Sequence, residues 1–103
     1  MRTLSCPDFQ TLMTRGAQLV DVRLPEEVAI AALPGAINIP LHELPSRLDD
    51  LDPAQPVAVF CHHGVRSEQA SRFLESRGFG DVSHLAGGID AWALEMARDL
   101  PRY

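Results

Sequence analysis

The residues able to do chemistry gather in one stretch, "VAVFCHHGVRSEQASRFLESRGF", from Val57 to Phe79. An apolar run, Val57 to Phe60, ends at Cys61. His62, His63, Gly64, Val65 and Arg66 follow, and a helical pattern then runs from Ser67 to Arg77. A thiol at a strand-to-helix junction stands where open α/β sheets bind ligands, beyond the carboxyl ends of their strands. Gly64 frees the backbone to turn several N–H groups into one concavity. The first turn of the next helix adds unpaired N–H groups and the positive end of its dipole. A sulfur held there is stabilised as the thiolate, which is the nucleophilic form. His62, His63 and Arg66 add positive potential, the histidines only when protonated. The competing reading of Cys61 is a small buried residue that merely closes a strand.

The surrounding elements have to place that sulfur. Short β-branched runs predict strands over Gln18 to Val22, Ala36 to Ile39, Val57 to Phe60 and Val82 to Leu85, with "RTLS" near the start as a fifth. Helical spacing is present over Pro7 to Arg15, from Pro25 through Val28, over Ser67 to Arg77 and over Ile89 to Ala97. Pro45 restricts "LHELPSRLDDL" to short turns. Trp92, Phe73 and the regularly spaced leucines read as core. Alternation of this kind predicts an α/β domain: a mostly parallel sheet of about five strands with helices on both faces.

Composition narrows the partners. One domain spanning residues 1–103 is expected, with 46% apolar and 22% charged residues, ordinary values for a globular chain. A net charge of −5 disfavours a nucleic-acid binder, whose phosphate contacts need a basic face. The first ten residues lack the apolar core of a secretion signal, and no run approaches a membrane span. The expected compartment is therefore the cytoplasm, and the two cysteines, Cys6 and Cys61, are expected to be free thiols. Neither lies in a Cys-x-x-Cys pattern, adjacent histidines rarely converge on one ion, and no second ligand cluster is visible. Neither a metal nor another cofactor is expected.

"CHHGVRS" resembles the active-site loop of rhodanese-like sulfurtransferases, written Cys-x-x-Gly-x-Arg-Ser. Two further segments match that family in order: "LVDVRLPEE" with "LPGAINIP" after it, and "LAGGIDAW" near the end. The resemblance covers about Leu19 to Trp92. Family members often carry Glu-Tyr-x-x-Gly-His-Ile before Pro-Gly-Ala, whereas this chain has "EVAIAAL" with the length kept. That departure bears on the surface beside the second strand rather than on the fold. The ending "LPRY" resembles the tail of rhodanese modules fused to sulfur-carrier activating enzymes.

The resemblance implies a sulfurtransferase in which Cys61 takes a sulfane sulfur from a donor such as thiosulfate and becomes a persulfide. A nucleophilic acceptor, cyanide or a thiol, then removes it. Acceptors in the family include small thiols and thioredoxin-like or sulfur-carrier proteins. The implied cradle is His62, His63, Gly64, Val65, Arg66 and Ser67, chiefly through main chain. His63 faces either the donor or solvent. Arg66 binds the donor's oxygens or anchors the loop to a carboxylate, for which Asp21 is the candidate. Arg23 reads as a structural ion-pair former. Gly87 and Gly88 shape a turn beside the pocket, and Cys6 reads as structural or incidental. Two other classes compete: a Cdc25-type phosphatase or arsenate reductase, whose loop has five residues between Cys and Arg where this chain has four, and a rhodanese-like module that binds without catalysis.

Overall fold

The computed structural model describes residues 1–103. Five strands form one sheet: β1 (Arg2–Leu4), β2 (Gln18–Asp21), β3 (Ile37–Asn38), β4 (Val57–Phe60) and β5 (Val82–Leu85). Every pairing is parallel, in the order β1-β5-β4-β2-β3. The helices are α1 (Cys6–Thr14), α2 (Pro25–Ile30), α3 (Val65–Ser76) and α4 (Gly88–Glu95). The α/β class and the parallel sheet of five strands are as expected.

Both faces of the sheet are covered, so β4 and β5 are buried at every position; β4 reads as an unbroken apolar run, whereas β5 carries the polar Ser83 and His84 between Val82 and Leu85. On one face Val20, Val22, Val57, Val59 and Cys61 pack against Ala70 and Leu74 of α3 and against Leu44 and Leu51. On the other, Leu19, Ala58, Phe60 and Leu85 meet Phe9 of α1 and Ile89 and Trp92 of α4. Phe9 meets Phe60 and Trp92 edge to face at 6.5 and 6.3 Å, the favoured arrangement of aromatic quadrupoles.

The boundaries depart from expectation in ways that have local causes. α1 starts at Cys6 because Ser5 caps it, its Oγ accepting from the Asp8 N–H. α3 starts at Val65, two residues before the predicted Ser67, because Gly64 takes a left-handed φ of 110° at the N-cap. "LHELPSRLDDL" forms two short 3₁₀ helices, Leu41–Ser46 and Leu48–Asp50, with Pro45 in the first. β3 shortens to two residues because only β2 pairs with it. No helix is long and apolar enough to cross a membrane.

Topology places the chemistry. β4 is the central strand, between β2 and β5. Asp21 pairs in register with Phe60. The loops leaving β2, β4 and β5 therefore emerge side by side at one edge of the sheet.

Candidate active site

Cys61 leaves β4 directly into a tight loop that ends at Gly64. Its Sγ accepts the Gly64 N–H at 3.0 Å and the Ser67 N–H at 3.3 Å, and it contacts the Ser67 hydroxyl at 3.5 Å. The amides of Val65 and Arg66, in the first turn of α3, have no acceptor within the protein. They are the orphan donors that every helix start leaves. Cys61 is buried, 1% exposed, and the amides around its sulfur face it.

The turn after β5 clamps this loop from behind. The Ile89 N–H donates to the Cys61 carbonyl at 2.8 Å, and the Asp90 N–H to the His62 carbonyl at 3.2 Å. Gly87 and Gly88 thus shape the wall behind the loop, with left-handed φ values of 76° and 62°.

The carboxylate that anchors Arg66 is Glu27, not Asp21. Arg66 donates Nη1 to Glu27 Oε1 at 2.5 Å and Nη2 to Oε2 at 2.9 Å, a bidentate pair. Asp21 is already engaged by Arg23, only two residues away. Arg23 Nε donates to Asp21 Oδ1 at 3.0 Å and Nη2 to Oδ2 at 2.7 Å, in a pair almost wholly buried. Arg23 also donates to the carbonyls of Glu27 and Ala31 and to the Tyr103 hydroxyl. The Tyr103 hydroxyl donates in turn to Glu27 Oε2 at 2.8 Å. The segment "EVAIAAL" thus keeps a structural duty through backbone, with Ala31 buried and its carbonyl bound to Arg23.

The Arg66 guanidinium and, less strongly, the Tyr103 hydroxyl hold the Glu27 carboxyl down at about 2 against the opposing effect of burial. A carboxylate depressed in the folded state adds stability above its unfolded value, and that stability is lost as pH falls through its folded one. Glu27→Gln should therefore lower stability at neutral pH by about 1–3 kcal/mol. Its deficit against wild type should shrink as pH falls from 4.5 toward 2. Urea melts at several pH values read this directly, and a deficit constant with pH would contradict it.

His62 is packed rather than free. Its ring lies between His63 and Tyr103, with ring centroids 3.8 Å away on each side and the Tyr103 plane within 5° of parallel. Burial, then the neighbouring His63, lowers its pKa, so the imidazole is neutral at neutral pH. The His63 side chain is 61% exposed, on the solvent side of the stack. The fold brings Asp90 beside the two histidines, a ligand that sequence reading did not supply, with all three ligand atoms within 4.8 Å. Asp90 is held, however, by two hydrogen bonds from Arg102, and the two imidazoles meet face to face.

Four residues that touch the site escaped sequence reading: Glu27, His84, Asp90 and Tyr103. His84 had a readable signal. It is polar and lies in a four-residue strand that is otherwise Val82, Ser83 and Leu85, so it needed a buried partner. It has two: Ser67 Oγ lies 3.0 Å from Nδ1, and Thr3 Oγ1 lies 3.0 Å from Nε2.

The chain is similar to known proteins over most of its length. The family description "Rhodanese-like domain" matches residues 5–95. A sulfurtransferase of Allochromatium vinosum is 40% identical over 80 residues, which cover 78% of this chain and 75% of that protein. Thiosulfate sulfurtransferase GlpE of Pseudomonas syringae is 34% identical over 83 residues, covering 81% of this chain and 78% of its own length. The solved structure of the human single-domain sulfurtransferase TSTD1 superposes with a TM-score of 0.81 at 32% identity, covering 92% of this chain and 97% of that one. A match across most of the chain, with the Cys61 loop at the strand end where it belongs, establishes that the protein is a member of the rhodanese-like domain family.

Proposed function

We propose that the protein is a sulfurtransferase that carries a sulfane sulfur as a persulfide on Cys61. One observation carries the reading: the Cys61 sulfur receives two main-chain N–H groups at the start of α3, and the first-turn amides of Val65 and Arg66 remain without acceptors beside it. That is a cradle for negative charge on sulfur, and charge sits on sulfur at every stage of the transfer.

In the first half-reaction the Cys61 thiolate attacks the outer sulfur of thiosulfate. The bond between the two donor sulfurs breaks, and sulfite leaves with the electron pair. The new terminal sulfur bears the charge and is held by the loop amides. In the second, cyanide or a thiolate attacks that terminal sulfur, and the Cys61 thiolate departs. Two displacements through one covalent intermediate give ping-pong kinetics. A small thiol, or one presented by a thioredoxin-like or sulfur-carrier protein, meets the same requirement as acceptor. Arg66 acts by fixing the loop, since both terminal nitrogens are taken by Glu27.

The test is a half-reaction without acceptor. After incubation with thiosulfate and desalting, intact mass should rise by one sulfur atom per chain. Cyanide should then return the original mass and release thiocyanate in equal amount. No increment with thiosulfate or with a low-molecular-weight persulfide would overturn the proposal.

A further inference from the structure

A buried chain of polar groups runs from the sulfur of Cys61 to the protein surface. The Cys61 sulfur lies 3.5 Å from Ser67 Oγ, Ser67 Oγ 3.0 Å from His84 Nδ1, and His84 Nε2 3.0 Å from Thr3 Oγ1. Ser67 is fully buried and His84 is 4% exposed, while Thr3, directly opposite His84 in the β1–β5 register, is exposed. The chain thus crosses the covered face of the sheet and opens to water at its far end.

We propose that His84 is a positioning residue for Cys61. Through Ser67 it sets which way the hydroxyl proton faces, and it joins the enclosed sulfur to solvent at Thr3. The inference rests on reading Cys61 as a nucleophilic thiolate, not on the identity of any sulfur donor.

Each link can run in either direction, because a hydroxyl and a neutral imidazole both donate and accept. With the thiol protonated, S–H donates to Ser67 Oγ, the Ser67 hydroxyl to Nδ1, and Nε2–H to Thr3 Oγ1. Ionisation reverses the order. The thiol proton passes to Ser67, the Ser67 proton to Nδ1, the Nε2 proton to Thr3, and the Thr3 hydroxyl proton to bulk water. Each group ends neutral except the sulfur, which now accepts the Ser67 hydroxyl. No imidazolium forms, so no second charge has to be buried.

The surroundings of His84 favour the neutral ring that this needs. Burial lowers its pKa. Glu68 of α3 opposes that shift, while Arg72 of α3 and the Met1 amino group on the β1 side assist it. From β4 the register neighbour is the apolar Val59. Without the imidazole, the Ser67 hydroxyl has an alternative acceptor in the Gly64 carbonyl at 3.1 Å. It would settle there and be withdrawn from the sulfur.

The experiment follows iodoacetamide alkylation of Cys61 against pH, with no sulfur donor present, and identifies the modified cysteine by peptide mass. His84→Phe should move the pH midpoint up by about one unit, so alkylation at neutral pH slows about tenfold. The plateau rate at high pH should stay within about twofold, a pattern that a general loss of structure does not produce. Ser67→Ala should shift the midpoint similarly, and the double variant should shift it no further than Ser67→Ala alone. Thr3→Val should give a smaller shift in the same direction, reversed by Thr3→Ser; these variants carry the test if His84→Phe does not fold. An unmoved midpoint in His84→Phe, or additive shifts in the double variant, overturns the inference. If the midpoints move as stated but thiosulfate loads no sulfur, the proposed function fails and this inference stands.

Discussion

Cys61→Ser is expected to accept no sulfane sulfur and to transfer none, a fall of more than about a thousandfold in kcat/KM. The cause is chemical rather than structural. A serine hydroxyl in the same cradle is far from ionised at neutral pH, and oxygen does not form the persulfide on which both proposed half-reactions depend. The fold should survive, because a hydroxyl can accept the Gly64 and Ser67 N–H groups as the sulfur does. A melting transition within a few degrees of wild type is the expected control. Cys6 offers no rescue. It is 1% exposed, and burial, then Glu95, pushes its thiol up to about 12, so it is not a thiolate at neutral pH.

The same variant separates the rival readings. Intact mass after thiosulfate treatment should show one added sulfur in wild type and none in Cys61→Ser. A wild type that stays unloaded with every donor would instead favour a binding module. Hydrolysis of a chromogenic phosphate ester that vanished in Cys61→Ser would favour the phosphatase. The loop geometry speaks against the latter. Four residues separate Cys61 from Arg66, and the Arg66 guanidinium is closed on Glu27 rather than left free for phosphate oxygens.

What could be read from the sequence was whatever is local. Val57–Phe60 and Val82–Leu85 form the predicted strands residue for residue: both are short segments bounded by turn-forming residues and buried at every position, the first wholly apolar and the second apolar at Val82 and Leu85. The cradle was legible because Cys61, Gly64 and Ser67 are close in the chain and the helix supplies its own donors. The partners of that cradle were not. Asp21 ends β2 and Glu27 lies in α2 just after it, and spacing alone does not say which of the two carboxylates meets the distant Arg66. Arg23 decides it by taking Asp21 first. Tyr103 against His62, and His84 against Ser67, are likewise contacts that only the closed fold creates. The "LPRY" ending carries a family resemblance in the sequence, but its physical work, a hydroxyl shared between Arg23 and Glu27, depends on α2 and β2 being in place.

Gly88→Ala should be the most damaging single change outside Cys61. A methyl group there would sit 2.3 Å from the His62 carbonyl oxygen and 2.5 Å from that of Cys61. These are backbone atoms, so no side chain can swing aside to relieve the contact. They are also the two carbonyls that receive the Ile89 and Asp90 N–H groups, so any retreat of the loop breaks the bonds that clamp it. The φ of 62° adds a conformational penalty for any residue with a side chain. Strain and crowding together should cost about 4 kcal/mol. Gly16→Ala separates the two causes. Its φ of 85° is equally left-handed, but an added methyl there has nothing within 4 Å, so it should lose only about 1–2 kcal/mol. If urea melts showed equal losses at the two positions, the close approach of Gly88 to the Cys61 loop would not be what confines that position to glycine. If Gly88→Ala loses the larger amount, and its folded fraction loads less sulfur from thiosulfate, then the turn after β5 holds the cradle in shape from behind, without touching the sulfur.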